Sequence, residues 1–232
     1  MLTGLKKTYK SLGLLGLCDK FLFKIKKGFL WIWYIKRFAD SGKSVVFAGT
    51  MNIVGGSGIK LGSNIVFGKN VRLRCDEDAE LVINDDCYIA DNVELSSKDY
   101  VVIGKGAKIH EGCIVSGTVI KIGELVFISR YSTIQGNNID IGSESILSAF
   151  VYIVDNAHYI DPETGKITLE KGNTSPIIVE ENVWICTGSR ILRGVTLGRS
   201  SVIAAGSVVT HDVPERSFAA NIPAKTIRKT IG

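Results

Sequence analysis

From Leu61 onward, aliphatic or aromatic residues return at every sixth position. They fall into triplets: Leu61, Phe67, Leu73; Ile83, Ile89, Leu95; Ile103, Ile109, Val115; Ile122, Ile128, Ile134; Ile141, Leu147, Ile153; Val179, Ile185, Ile191; and Leu197, Ile203, Val209. Within a triplet the spacing never departs from six, while the steps between triplets are 10, 8, 7, 7, 26 and 6. Added residues therefore enter only after a third hexad, which predicts a coil with three short faces and one permissive corner. A βαβ chain would interpose helical patterns of ten or more residues, and a sandwich would show hairpin signals; neither stands between Leu61 and Val209.

Each hexad supplies one strand of about four residues and one turn. Coils stacked at ~4.8 Å pair in parallel, and seven of them make a prism of roughly 34 Å with the periodic residue of every hexad pointing inward. Gly62, Gly104, Gly123, Gly142 and Gly198 follow leading inward positions and are expected to provide tight or left-handed turns, with Asn64, Asn70, Asn84, Asp85, Asn92 and Asn182 at the same corners. The predicted fold is all-β, a parallel β-helix of about seven coils over 41–210, including a protruding loop over 154–178. A short helical segment over 1–40 precedes it and a tail over 211–232 follows.

Charge separates the first segment from the rest. Residues 1–38 carry nine lysines and arginines against Asp19 alone, a net +8, whereas the whole chain of 232 residues is +5, so the remainder is −3. A mildly acidic body argues against nucleic acid as a partner. Leu14, Cys18, Phe21, Leu22, Ile25, Phe29, Ile32 and Trp33 recur at helical steps among those lysines. The pattern fits an amphipathic helix lying on an anionic bilayer, or equally one docked on protein. The apolar runs are too short for a membrane span, and the charges at Asp19, Lys20 and Lys24 interrupt any signal peptide, so the expected location is cytoplasmic, with peripheral contact at the inner membrane face. Five cysteines, at 18, 75, 87, 113 and 186, contain no C-x-x-C pair, and the three histidines stand 48 and 53 residues apart; neither a disulfide framework nor a metal site is expected.

The C-terminal third carries the most specific pattern: Asn182-Val183-Trp184-Ile185, Ile191-Leu192-Arg193-Gly194-Val195-Thr196-Leu197-Gly198, Val202-Ile203-Ala204-Ala205-Gly206-Ser207-Val208-Val209-Thr210, and Asn221-Ile222-Pro223-Ala224-Lys225. This ordered set resembles the hexapeptide-repeat acyltransferases, in particular their galactoside, maltose and xenobiotic acetyltransferase branch, over residues ~60–230. The resemblance implies a left-handed coil, a homotrimer and acetyl-CoA as cosubstrate without a metal. It places Trp184, Thr187, Ala205, Thr210, Lys225 and Arg228 along the acyl-CoA channel. The family usually has Gly at the positions of Cys186, Ala204 and Ala220, and an Asn near Tyr131 and Ser132.

The 20 residues inserted between Ile153 and Val179 are too long for a turn and hold Asp155, Asn156, Ala157, His158 and Tyr159. Acyl transfer to a hydroxyl needs a base, and an imidazole with an ordinary pKa of ~6.5 suits that task at neutral pH. His158 is the candidate, with Tyr131, Asp155 and Asn156 as acceptor contacts; His110, His211 and the cysteines read as structural or peripheral. The activity that the resemblance implies is an acetyl-CoA-dependent O-acetyltransferase on a sugar or glycan hydroxyl in surface polysaccharide biosynthesis. N-acylation of an amino-sugar nucleotide and a non-catalytic solenoid are the alternatives.

Overall fold

The computed structural model describes residues 34–230. The chain divides into two compact units, Met1–Arg37 and Phe38–Gly232, and the coil belongs to the second. The amphipathic pattern expected over residues 14–33 lies outside the described residues.

All twenty-one periodic residues from Leu61 to Val209 are buried, none more than 5% exposed. The first residue of each triplet lines face 1, the second face 2 and the third face 3. Face 2 is a sheet of its own: nine short strands from Val46–Phe47 to Ser217–Ala220 pair in parallel, and Lys225–Lys229 closes its end antiparallel. There are thus about nine turns where the periodicity predicts about seven. The surplus lies at the two ends: Asp40–Ser41, Val46–Phe47 and Met51–Val54 stack before Leu61, and Ser217–Ala220 adds a rung after Val209. These end rungs keep the spacing of six, with Ser41, Phe47 and Ile53 paired to Leu61, Phe67 and Leu73, and Val213 and Ala219 to Leu197 and Ile203. Polar Ser41 and small Ala219 weaken its apolar signal, although Phe47 stacks on Phe67 inside the coil at 5.5 Å.

Faces 1 and 3 form one folded sheet. In three central coils a single strand, Glu94–Ile103, Ile114–Ile122 or Thr133–Ile141, runs from face 3 round the permissive corner into face 1. That corner tolerates insertions because a bend in extended chain accepts extra residues without demanding a fixed turn. The other two corners do demand one: the third residue after each inward residue is left-handed. Asn64 and Asn70, Asp86 and Asn92, Leu125 and Tyr131, and Glu144 and Phe150 all have φ between 54° and 62°.

This corrects the expected role of the glycines. Gly62, Gly104, Gly123, Gly142 and Gly198 are not left-handed; they stand where the next coil presses against the backbone. A β-carbon on Gly142 would lie 2.6 Å from both the carbonyl carbon of Glu180 and the amide nitrogen of Glu181, and one on Gly123 2.6 Å from the amide nitrogen of Ser143. Proximity between coils, not φ, selects glycine there.

A second buried position, two residues before each inward one, is mostly aliphatic, but in some coils it holds a small side chain that donates a hydrogen bond. Ser132 Oγ donates to the Ser148 carbonyl at 3.0 Å, Ser189 Oγ to Ala204 at 2.9 Å, Cys87 Sγ to Gly104 at 3.2 Å and Cys113 Sγ to Ser129 at 3.0 Å. Burial pushes both thiols up to about 11, so they are poor nucleophiles at neutral pH.

The two glycine roles separate experimentally. Gly142→Ala is expected to destabilise the coil by about 1–3 kcal/mol through overpacking. Glu144→Gly, two residues on, relieves a left-handed β-carbon worth about 1–2 kcal/mol and adds about 0.5–1 kcal/mol of chain entropy to lose, for a net change within about 1 kcal/mol. Urea denaturation midpoints of the two variants check the contrast.

Candidate active site at the permissive corner

The insertion between Ile153 and Val179 leaves from the permissive corner as a hairpin rather than as a loop. Asn156–Ile160 pairs antiparallel with Ile167–Thr174, matching Asn156 with Thr174 and Ile160 with Ile167. At its tip, Asp161 Oδ1 accepts the amide hydrogens of Glu163 and Thr164, each at 2.9 Å, and these bonds hold its carboxyl below the ordinary carboxylate range. The register shifts between Ala157 and Tyr159, so His158 occupies the irregularity and its side chain is exposed. Such a shift re-aims a side chain relative to a regular ladder. His158 thereby opens on a cleft of about 300 Å³ lined by Asn137, Asn156, Ala157, Gly172 and Thr174.

Asp155 fixes the neck of this arm. Expected to contact the acceptor, it is instead fully buried. Its Oδ2 accepts the amide hydrogens of Asn137 at 2.7 Å and Asn138 at 2.5 Å, on the corner of the preceding coil, and its carbonyl accepts from Ser175 at 3.0 Å. Oδ1 lies against Gly136, where a β-carbon has no room, and makes no hydrogen bond. The carboxylate ties the arm to the coil and is spent on backbone amides, so it is not presented to solvent. Asn156 is exposed and lines the cleft. Tyr131 does not: it stands at the corner between faces 2 and 3. Asn137 and Thr174 were not singled out by the sequence, and only the location of the insertion corner could have found them.

The residues expected along the acyl-CoA channel are dispersed in the single chain. Trp184 and Arg228 share face 2, in one register row that runs from Trp184 through Val202 and Phe218 to Arg228. Trp184 is 49% exposed, and its indole N–H donates to Ser148 Oγ at 3.1 Å. The Arg228 guanidinium lies over the Phe218 ring, 5.0 Å from its centroid, and Lys225 opens the same terminal strand. Thr187 and Ala205 lie in adjacent coils beside the corner between faces 2 and 3, where the Thr187 hydroxyl donates to the Ala149 carbonyl at 2.9 Å. Thr210 follows the last inward residue of face 3, with its Oγ1 2.9 Å from His211 Nδ1. Face 2 is opposite the corner that launches the arm, so one chain does not bring Trp184 to His158.

The remaining candidates are quieter. His110 packs between Tyr88 and Phe127, with centroids 5.8 and 4.7 Å away. Cys186 is partly buried; burial raises its thiol, and no cation offsets the shift. Among the described residues no group of three or more His, Cys, Asp or Glu is placed to hold a metal ion, and no helix is long and apolar enough to cross a membrane.

Residues 176–211 match the family model described as bacterial transferase hexapeptide (six repeats). A Saccharomyces cerevisiae protein named "putative acetyltransferase" is 40% identical over 114 residues, covering 49% of this chain and 57% of its own. This chain thus spans about half the length of that relative. An Escherichia coli protein named "putative lipopolysaccharide biosynthesis O-acetyl transferase WbbJ" is 25% identical over 161 residues, covering 64% of this chain and 78% of its own. Among solved structures, a variant of the Bacillus cereus N-acyltransferase AntD, in complex with an amino-dideoxyglucose nucleotide and coenzyme A, superposes with a TM-score of 0.50 at 17% identity, over 85% of this chain and 87% of that one. That likeness concerns the fold. The hexads, the coil and these relatives agree with one another, and over residues 176–211 the chain carries the hexapeptide-repeat transferase pattern.

Proposed function

We propose that the protein is an acetyl-CoA-dependent O-acetyltransferase that modifies a sugar hydroxyl in surface polysaccharide biosynthesis. The observation that carries this reading is the arm: a hairpin at the insertion-tolerant corner, anchored through buried Asp155, with His158 at its register shift facing a solvent-open cleft. The E. coli relative's name supports the hydroxyl acceptor and the polysaccharide setting; AntD keeps the amino-sugar alternative in view through fold alone.

In this reaction the His158 imidazole takes the acceptor's hydroxyl proton as the oxygen attacks the thioester carbonyl. The carbon–sulfur bond breaks as the tetrahedral arrangement collapses, and the imidazolium returns its proton to the departing thiolate. An ester and a free thiol result, and no charge is left on the protein. Trp184, Thr187, Ala205 and Thr210 would flank the thioester arm, while Lys225 and Arg228 supply cations for phosphates. The fit is reasonable for Arg228 and Lys225, both exposed on the terminal strand.

Because Trp184 and His158 lie on opposite sides of one prism, a complete site requires a second copy. Face 2 suits that contact. Up to Val202 its outward row runs Val46, Val66, Tyr88, Lys108, Phe127, Ile146, Trp184 and Val202, with Lys108 the one charge before the row reaches Arg228. An apolar face of this length is typical of subunit contacts, and three such prisms close around a threefold axis.

His158→Ala is expected to lower turnover by about 10²–10⁴ with acetyl-CoA affinity nearly unchanged, as for loss of a general base. Thiol release against sugars, amino-sugar nucleotides and lipid-linked glycans measures it and sorts O- from N-transfer; more than a tenth of parent activity in the variant would remove His158 from the base role. In the same assay Cys186→Ser is expected to retain most of the turnover, and a trapped acetyl thioester on Cys186 would instead establish a covalent route. Light scattering is expected to report three times the chain mass, and a fully active monomer would overturn the shared-site arrangement.

A further inference from the structure

Two bulky aromatics stand where this fold favours glycine or asparagine. The left-handed position at the corner between faces 2 and 3 is filled by Asn70, Asn92, Gly112, Gly188 and Gly206 in five coils, and by Tyr131 (φ 58°) and Phe150 (φ 62°) in the two between Gly112 and Gly188. A β-carbon in that conformation costs about 1–2 kcal/mol. Burial does not offset it, since Tyr131 is 56% and Phe150 59% exposed. The rings stack on each other with centroids 5.5 Å apart and planes at 18°. Gly112 makes room for the pair, because a β-carbon there would sit 2.6 Å from the Tyr131 ring. On the other side a β-carbon on Gly188 would meet nothing within 4 Å, which leaves the space beyond Phe150 open. A local preference broken twice in succession by aromatic residues left more than half exposed marks a functional position.

The pair borders a cleft of about 390 Å³ on face 3, completed by Thr133, Val151, Tyr152 and Arg190. Arg190 is exposed; its guanidinium donates to the Gly188 carbonyl at 3.3 Å and meets no carboxylate among the described residues. Tyr152 belongs to Tyr152–Val154, the strand whose end launches the His158 arm. His158 is six steps along the chain from Tyr152, a reach of at most about 22 Å. The cleft and the arm therefore occupy the two edges of one face.

From this arrangement we infer that the Phe150–Tyr131 stack and Arg190 form a binding subsite for an anionic glycan, holding one sugar unit while another lies at His158. The flat aromatic surface takes the C–H face of a pyranose ring, Thr133 and Tyr152 offer hydroxyls to its oxygens, and Arg190 pairs with a carboxylate or phosphate through two parallel N–H bonds. The acceptor class is then a charged chain of several sugar units rather than a neutral free monosaccharide. This rests on the sugar-acceptor reading above.

The test measures binding by saturation-transfer NMR on the full chain without acyl donor, using trigalacturonate, a hyaluronan tetrasaccharide, maltotriose and UMP. At least one acidic oligosaccharide is expected to bind fivefold or more tighter than maltotriose. Phe150→Asn is expected to weaken it at least tenfold while the melting temperature holds or rises, because Asn tolerates the left-handed conformation. Arg190→Gln is expected to erase the preference for acid over neutral sugar. No acidic binding, a preference for UMP, a lower melting temperature in Phe150→Asn, or a change of oligomeric mass in that variant would each overturn the subsite; the last would show that the rings face a second copy. A protein that binds the acids but transfers no acetyl group keeps the subsite and loses the transferase reading, and one that acetylates only neutral sugars does the reverse.

Discussion

The distance between successive coils governs this molecule. Parallel strands at ~4.8 Å leave no freedom in where the next backbone passes, so each hexad must repeat the geometry of the one before it. Inward side chains then stack in columns, and every one of them from Leu61 to Val209 is buried. Corner positions stack in columns too. A residue's role is therefore fixed more by its place in the hexad than by its neighbours in sequence: the position after the inward residue meets the adjacent coil, and the position two further on carries the left-handed turn.

Columns also explain how the candidate site is organised. The two turn corners admit no extra residues, whereas the third is a bend in continuous strand, and the arm with His158 is built there. Its neck is held by a buried carboxylate bonded to amides of the coil before it, so the arm is referenced to the prism. Face 2, with Trp184 and Arg228, lies across the prism from that corner. The division of labour among faces follows from where the chain can be interrupted.

Much of this was legible in the period of six, because burial repeats with it. Strand direction, the three faces and the location of the insertion follow from spacing alone. The end rungs are fainter because Ser41 and Ala219 stand where the other coils have large apolar residues, even though Phe47 and Ala219 are as buried as their counterparts. Glycine was misread for a physical reason: composition does not distinguish a residue chosen for positive φ from one chosen for lack of a β-carbon, and Gly142 and Gly188 are opposite cases. Asp155 looked available for substrate because an acid beside a histidine reads as chemistry, while its bonds run to amides on another coil, nearly twenty residues away. His158 itself was found from the length of the insertion, but the register shift that aims it has no signature in sequence.

The antiparallel strand Lys225–Lys229 has a consequence for assembly. An open coil end offers unpaired backbone groups in the direction that the next parallel rung would use, which makes it a template for endless head-to-tail growth. On face 2 the chain reverses and covers that edge with a strand of opposite polarity bearing Lys225, Arg228 and Lys229. A second molecule approaching this end meets mismatched hydrogen-bond polarity and a row of positive charge. Filament formation is thereby discouraged along the prism axis, and association is left to the sides.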